Sequence, residues 1–263
     1  MKYVDSVYLK HGWLFLTQLL YNLLHPLLMA IMKSQRKQRQ QELYILNEHP
    51  ICNGKGVLYV VNHSCRYDFP ITSEVIGHRV NVLVGKQRLD LIDRLCFWLN
   101  GVVWVDRQSS THKKTATEKM LKLLLNGESV CMYPEGTWNL EPSKPMLPMY
   151  WGCIDLARKA RVPIIPLVLE FREKACYTKF GTPIYVGKTD DKAIKFEELK
   201  ETMATLKWDI WEMFPVVSRV EIDIGEWERE KEARIVAYPK LNYEYEMSVV
   251  RGKENTPEYV LGR

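Results

Sequence analysis

The sequence has no C-x-x-C pair. Its six cysteines stand at 52, 65, 96, 131, 153 and 176, a scatter that excludes a zinc ribbon or a thioredoxin-type redox site. Scattered thiols in a chain this long are expected to be reduced, which points to a cytosolic compartment. Internal repeats, low-complexity tracts and recognisable nucleic-acid motifs are absent. With 37 basic against 32 acidic residues, net +5, no nucleic-acid partner is expected. No secretory signal is expected either: near the amino end the basic residues follow the apolar run, and no A-x-A-like cleavage site comes after it. At 46% hydrophobic and 26% charged, the composition excludes a disordered chain and a polytopic membrane protein alike. The 263 residues are enough to bury a core without disulfide or metal staples.

Charge is missing in one place. From His11 to Met32 there are 22 residues without Asp, Glu, Lys or Arg, dominated by leucine. That approaches the roughly 20 residues of a membrane span. Gln18, Asn22 and His25, however, recur at spacings of four and three, which lines them along one helical face. A helix lying in the bilayer interface carries such a stripe more easily than one crossing hydrocarbon. Pro26 is expected to kink or break the helix. Lys33, Arg36, Lys37 and Arg39 follow directly and suit anionic headgroups on a cytoplasmic leaflet. If the segment spans instead, the same cluster keeps the rest of the chain inside. A buried core helix is the plain alternative. Residues 1–48 therefore read as a membrane-associated helical segment, peripheral or monotopic on the cytoplasmic face of the cell membrane. Removal of residues 1–40 is expected to release the protein from membranes.

Beyond it, short β-branched runs alternate with helical patterns. Strands are expected at Val57–Val61, Asn81–Val84, Val102–Val105, Ser129–Tyr133 and Pro163–Leu169, and helices at Lys113–Asn126, Ile154–Ala160 and within 192–214. Continuous apolar strands separated by helices indicate an α/β fold with a largely parallel central sheet flanked by helices. Residues 49–225 read as the catalytic domain and 226–263 as a charged C-terminal extension. Ligands in such folds bind beyond the carboxyl ends of the strands, so the polar residues that follow each strand are the candidates for chemistry.

His63 and Asp68 follow the first strand, five positions apart in a loop that enters a helix. Imidazole titrates near neutrality and is the natural general base, and a carboxylate on its other ring nitrogen would fix the tautomer. Asp68 read alone is equally a helix cap and His63 a loop histidine. Arg107 follows the third strand with a fork suited to phosphate or carboxylate, or to a surface ion pair. Tyr133-Pro134-Glu135-Gly136-Thr137-Trp138 presents a carboxylate, a hydroxyl and backbone N–H groups, or forms a plain turn. Lys144 to Gly152 is aromatic and Met-rich, compatible with an acyl channel and with core packing.

Taken in order, H-x4-D, G-x5-R, P-E-G-T and V-P-x-x-P resemble the glycerolipid acyltransferase family that includes 1-acylglycerol-3-phosphate acyltransferase. The resemblance covers residues 55–185, about half the chain, and Lys86 sits where the family usually has a lysine. It implies that His63 deprotonates an acceptor hydroxyl, with Asp68 orienting and charging it. The hydroxyl then attacks the thioester of acyl-CoA or acyl-carrier protein directly, so Cys65 and Ser64 need not be nucleophiles. Lys86, Arg107, Glu135, Gly136, Thr137 and Trp138 become candidate substrate-binding residues. No metal or resident cofactor is implied. The partners are a phospholipid membrane, the acyl donor and a glycerolipid acceptor. One position departs: the family's Glu-Gly-Thr-Arg is here Glu135-Gly136-Thr137-Trp138, and indole has one donor and no charge. Other acceptors (a lysophospholipid, a glycolipid or an amine) and a non-catalytic acyl- or lipid-binding protein are the alternatives this opens.

Overall fold

A computed structural model describes residues 11–52, 56–85, 91–141, 144–216 and 224–236. Seven strands form one sheet: β1 (Glu42–Ile45), β2 (Leu58–Val61), β3 (Val80–Gly85), β4 (Val103–Val105), β5 (Ser129–Met132), β6 (Ile164–Arg172) and β7 (Ala175–Phe180). Their spatial order is β1-β7-β6-β2-β5-β3-β4. From β6 to β4 every neighbouring pair is parallel, whereas β6 and β7 form an antiparallel hairpin and β1 joins β7 in parallel. β2 and β5 lie at the centre and every residue of both is buried, as apolar strands covered on both faces must be. Gly56 lets β2 begin there, because a Cβ would lie 2.1 Å from the Glu128 carbonyl oxygen.

Seven helices cover the sheet among the described residues: α1 (His11–Gln38), α2 (Asp68–Ile76), α3 (Leu91–Leu99), α4 (Ser110–Leu125), α5 (Gly152–Ala160), α6 (Lys192–Trp211) and α7 (Ile224–Val236). The core divides into two clusters. One gathers α4, α5 and α6 through residues such as Met120, Ile154 and Leu199. The other gathers α1, α2 and α3 through Leu28, Met32, Ile71 and Leu99. Sequence chemistry sets the helix ends. The Ser109 hydroxyl accepts from His112 N to start α4, and Asp191 accepts from Ala193 N and Ile194 N to start α6, each satisfying first-turn donors.

Two expectations and one alternative reading need correction. α1 runs unbroken through Pro26: proline removes one rung of the ladder, while burial of Leu28 and Met32 holds the segment against the domain. The sheet begins before residue 49, because β1 lies within the segment 1–48 and pairs with β7. Asp68 does not cap α2 but is its first residue, with Tyr67 at the cap position and no side-chain cap bond. No helix among the described residues is long and apolar enough to cross a membrane. Within α1 the polar stripe is partly engaged by the domain: Asn22, itself exposed, accepts from Arg79 Nε at 2.5 Å, and both ring nitrogens of His25 are buried. Leu16, Leu19, Leu20, Leu23 and Leu27 are exposed. The expected tail beyond residue 236 lies outside the described residues, whereas the start of the charged extension is helical in α7, where Lys231 Nζ lies 3.5 Å from Glu141.

Candidate active site

His63 stands two residues beyond the end of β2, at the carboxyl edge of the parallel strands. Its Nδ1 lies 2.6 Å from Asp68 Oδ2. The short loop returns into α2 so that the same carboxylate oxygen also accepts from Ser64 N at 2.5 Å and Cys65 N at 3.0 Å. Asp68 is 1% exposed. Three donors on one oxygen of this buried carboxylate fix its orientation. With Nδ1 so engaged, Nε2 is the ring nitrogen left for chemistry, on a side chain 25% exposed.

The rest of His63 is held from the other direction. Its main-chain N–H donates to Glu135 Oε1 at 2.7 Å, and its carbonyl accepts from Asn139 N at 2.6 Å. Tyr133 stacks on the imidazole with centroids 4.7 Å apart, and Trp138 meets it edge-on at 6.2 Å. The Tyr133 hydroxyl donates to Thr72 in α2, and burial holds this phenol well above its usual titration range. The segment after β5 thus grips the base at both ends of its peptide and on two sides of its ring.

Glu135 faces inward. Its side chain is fully buried, and its second oxygen accepts from Leu147 N at 2.7 Å. The sequence reading placed it among substrate-binding residues; in the fold its two carboxylate oxygens accept from the His63 and Leu147 main-chain N–H groups. Burial pushes its pKa from 4.5 up to about 7, against the lowering effect of the Leu147 and His63 N–H groups and of Lys207. The folded protein therefore holds this proton more tightly than the unfolded chain. The contribution of Glu135 to stability is greatest below pH 4.5, falls as the pH rises towards 7 and is flat above. A shift of this size corresponds to about 3 kcal/mol. Subtracting the stability of Glu135→Gln from that of the wild type across this range should show that decline, and chemical denaturation at each pH checks it.

The remaining candidates separate. Gly136 adopts a left-handed φ of 71°, and its carbonyl accepts from Arg107 Nη1. Arg107 is exposed and reaches across the end of β3, where a Cβ on Gly85 would meet its Nε and Nη2 at 3.0 Å. Glycine there lets the guanidinium join the ends of β3, β4 and β5. Thr137 is buried with its hydroxyl unpartnered. Trp138 is 7% exposed, part of the wall around His63. Lys86 lies outside the described residues. Leu147 and Met149 are buried, so the Met-rich segment contributes to packing. Burial first, and then Asp68, raise the Cys65 thiol well above 9, which disfavours its thiolate.

Sequence reasoning passed over three residues. Asn62 pairs with both main-chain groups of Leu169, at 2.9 and 2.7 Å, which ties the start of the His63 loop to β6. Lys207, buried on α6, donates to the same Leu169 carbonyl and pairs with Glu170. Tyr133 completes the set. Asn62 and Tyr133 each stand just beyond an apolar strand, which is the signal that finds them. Lys207 had none, since its partners lie far away in sequence.

An acyltransferase family model matches residues 33–170. The chain belongs to the acyltransferase family. It is 34% identical over 166 residues to a 1-acyl-sn-glycerol-3-phosphate acyltransferase alpha of Ovis aries, covering 56% of this chain and 57% of that one. A probable 1-acyl-sn-glycerol-3-phosphate acyltransferase of Mycoplasma pneumoniae is 28% identical over 120 residues, covering 44% of each chain. The chain spans about half the length of the curated relatives it matches. The crystal structure of the 1-acyl-sn-glycerophosphate (LPA) acyltransferase PlsC from Thermotoga maritima superposes with a TM-score of 0.60 at 16% identity, over 78% of this chain and 88% of that one. At that identity it supports the α/β acyltransferase fold with its mostly parallel sheet.

Proposed function

We propose that this acyltransferase moves a fatty acyl group from a thioester, acyl-CoA or acyl-carrier protein, to the free hydroxyl of a glycerolipid acceptor such as 1-acylglycerol-3-phosphate. The observation that carries the reading is the His63–Asp68 pair, with Nδ1 on a buried carboxylate and Nε2 left as a base. Nε2 takes the hydroxyl proton as the oxygen attacks the thioester carbonyl. The tetrahedral intermediate collapses with cleavage of the carbon–sulfur bond. The imidazolium, stabilised by Asp68, returns the proton to the departing thiolate. Atoms and charge balance, and no cofactor enters.

Arg107 and the turn at Gly136 supply the group that would hold the acceptor phosphate. Lys86 is a further candidate from its place in sequence. Thr137 and Trp138 shape the wall. A second reading, transfer to a lysophospholipid, glycolipid or amine, is favoured by one observation: Trp138 replaces the family's arginine and is packed against His63, so one bidentate charge is missing. Thiol release from acyl-CoA, with lipid products separated by mass, tests the whole reading. Formation of phosphatidic acid supports the first acceptor, another acylated lipid supports the second, and free fatty acid alone overturns both in favour of hydrolysis.

The protein works, in this reading, at the cytoplasmic face of the cell membrane, held by α1. The free state of all six cysteines supports a reducing compartment. Deleting residues 1–40 would also strip Leu28 and Met32 from the core, so point changes are the cleaner test. Changing Leu19, Leu20 and Leu23 together to serine should lower partitioning to anionic vesicles by about tenfold or more, read by co-sedimentation, with the melting temperature unchanged because all three are exposed.

A further inference from the structure

Helix α3 was not anticipated from sequence, and its surface has no role in the chemistry above. It turns Cys96 and Leu99 into the core and leaves Leu91, Leu95 and Trp98 exposed. Those three stand at i, i+4 and i+7, a single stripe on one side of the helix. Leu91 is 78% exposed. The stripe is not isolated. Trp98 meets Tyr21 of α1 edge-on, with centroids 6.2 Å apart, and α1 carries exposed leucines of its own, Leu16, Leu19, Leu20, Leu23 and Leu27.

A single exposed leucine needs no explanation, whereas apolar stripes exposed on two touching helices do. Charge identifies what covers them. α1 has no acidic residue along its length and ends in Lys33 and Lys37, Arg36 between them being paired with Glu74. Arg94 is exposed on α3. An apolar face edged by cations, with an indole at its margin, matches the interface of an anionic bilayer.

We propose that α3 is a second bilayer-seated element, lying in the same interfacial plane as α1, and that its occupant is the surface of an anionic phospholipid bilayer. The inference rests on the membrane reading of α1 and deepens it. α3 is tied to the loop that carries the base: Arg66 donates to Asp93 at 3.1 Å, and Phe69 stacks on Phe97 at 5.3 Å. Seating α3 therefore fixes the His63 loop relative to the lipid from which the acceptor comes.

The test uses the full chain with an environment-sensitive NBD label on Leu95→Cys, on Leu23→Cys in α1 and on Ile194→Cys. Ile194 is exposed on α6, a helix on the opposite face of the sheet. The unsubstituted protein, carried through labelling, is the blank for its native thiols. Vesicles of equal parts phosphatidylcholine and phosphatidylglycerol are added. Blue-shifted emission is expected at 95 and 23 and not at 194. The Leu91→Ser, Leu95→Ser double variant should lose about tenfold in vesicle partitioning at an unchanged melting temperature. A shift at 23 without one at 95 overturns the proposal and leaves α1 as the sole anchor. No shift at either position overturns both readings. A shift at 95 without vesicles that grows with protein concentration, with a dimer in light scattering, overturns it in favour of a second copy on this face.

Discussion

Replacing His63 by alanine should lower kcat for acyl transfer by about a thousandfold or more, as loss of a general base does, while the melting temperature changes little. Asp68 keeps its Ser64 and Cys65 donors in that variant, so the loop retains its internal bonds. Asp68→Asn should cost about 10²–10⁴-fold in kcat by a different route. Ser64 N, Cys65 N and Nδ1 all meet the same oxygen, so an amide oxygen there keeps the three bonds but loses the charge that stabilises the imidazolium, and an NH2 there strands all three. Steady-state thiol release for the two variants, beside their melting curves, checks both. A fully active His63→Ala protein would remove the mechanism altogether.

Glu135→Ala should be the most damaging change to stability. It strands the main-chain N–H groups of His63 and Leu147 in a fully buried site. Each unsatisfied donor costs about 1–3 kcal/mol, and the pair together is a large part of the roughly 5–15 kcal/mol that holds a domain folded. Urea denaturation reads the loss. Kinetics at low temperature separate the two roles this residue can have. A group that positions His63 lowers kcat and leaves the KM for acceptor nearly unchanged. A group that binds acceptor raises KM. The buried geometry of Glu135 predicts the first pattern, and Glu135→Gln, which keeps one acceptor oxygen, should recover part of kcat.

The sequence made the centre of the fold legible and its margins obscure, for a physical reason. β2, β5 and β6 are buried on both faces, so burial alone selects continuous apolar runs that stand out in any reading. β1 is a four-residue strand with mostly exposed positions. It becomes a strand only because β7, more than 120 residues later, offers it a partner. Nothing local to Glu42–Ile45 announces that. The His63–Asp68 pair was visible because its spacing and its place after a strand coincide with the ordered motifs. The direction of Glu135 was not visible. A carboxylate at a strand end ordinarily faces ligand or water, and only the folded positions of His63 and Leu147 turn it inward. Trp138 showed in sequence that something about the acceptor side had changed, whereas its contact with the imidazole emerged only in three dimensions.

The joint between α1 and the sheet has a mechanical consequence. Only residues 39–41 separate the end of α1 from β1. Gln40 takes a left-handed φ of 54° there, and Arg36 binds both Glu74 oxygens and the Gln41 carbonyl. If α1 seats in a bilayer as proposed, a joint of this kind makes it a depth stop and not a leash. On a bilayer it would set one working height for His63 above the headgroups. Acceptors would then be sorted by how far their free hydroxyl stands from the lipid surface, before any pocket reads their charge. A flexible Gly-Ser insertion between Gln40 and Gln41 would turn that fixed height into a range, and relax this sorting without altering a single reacting group.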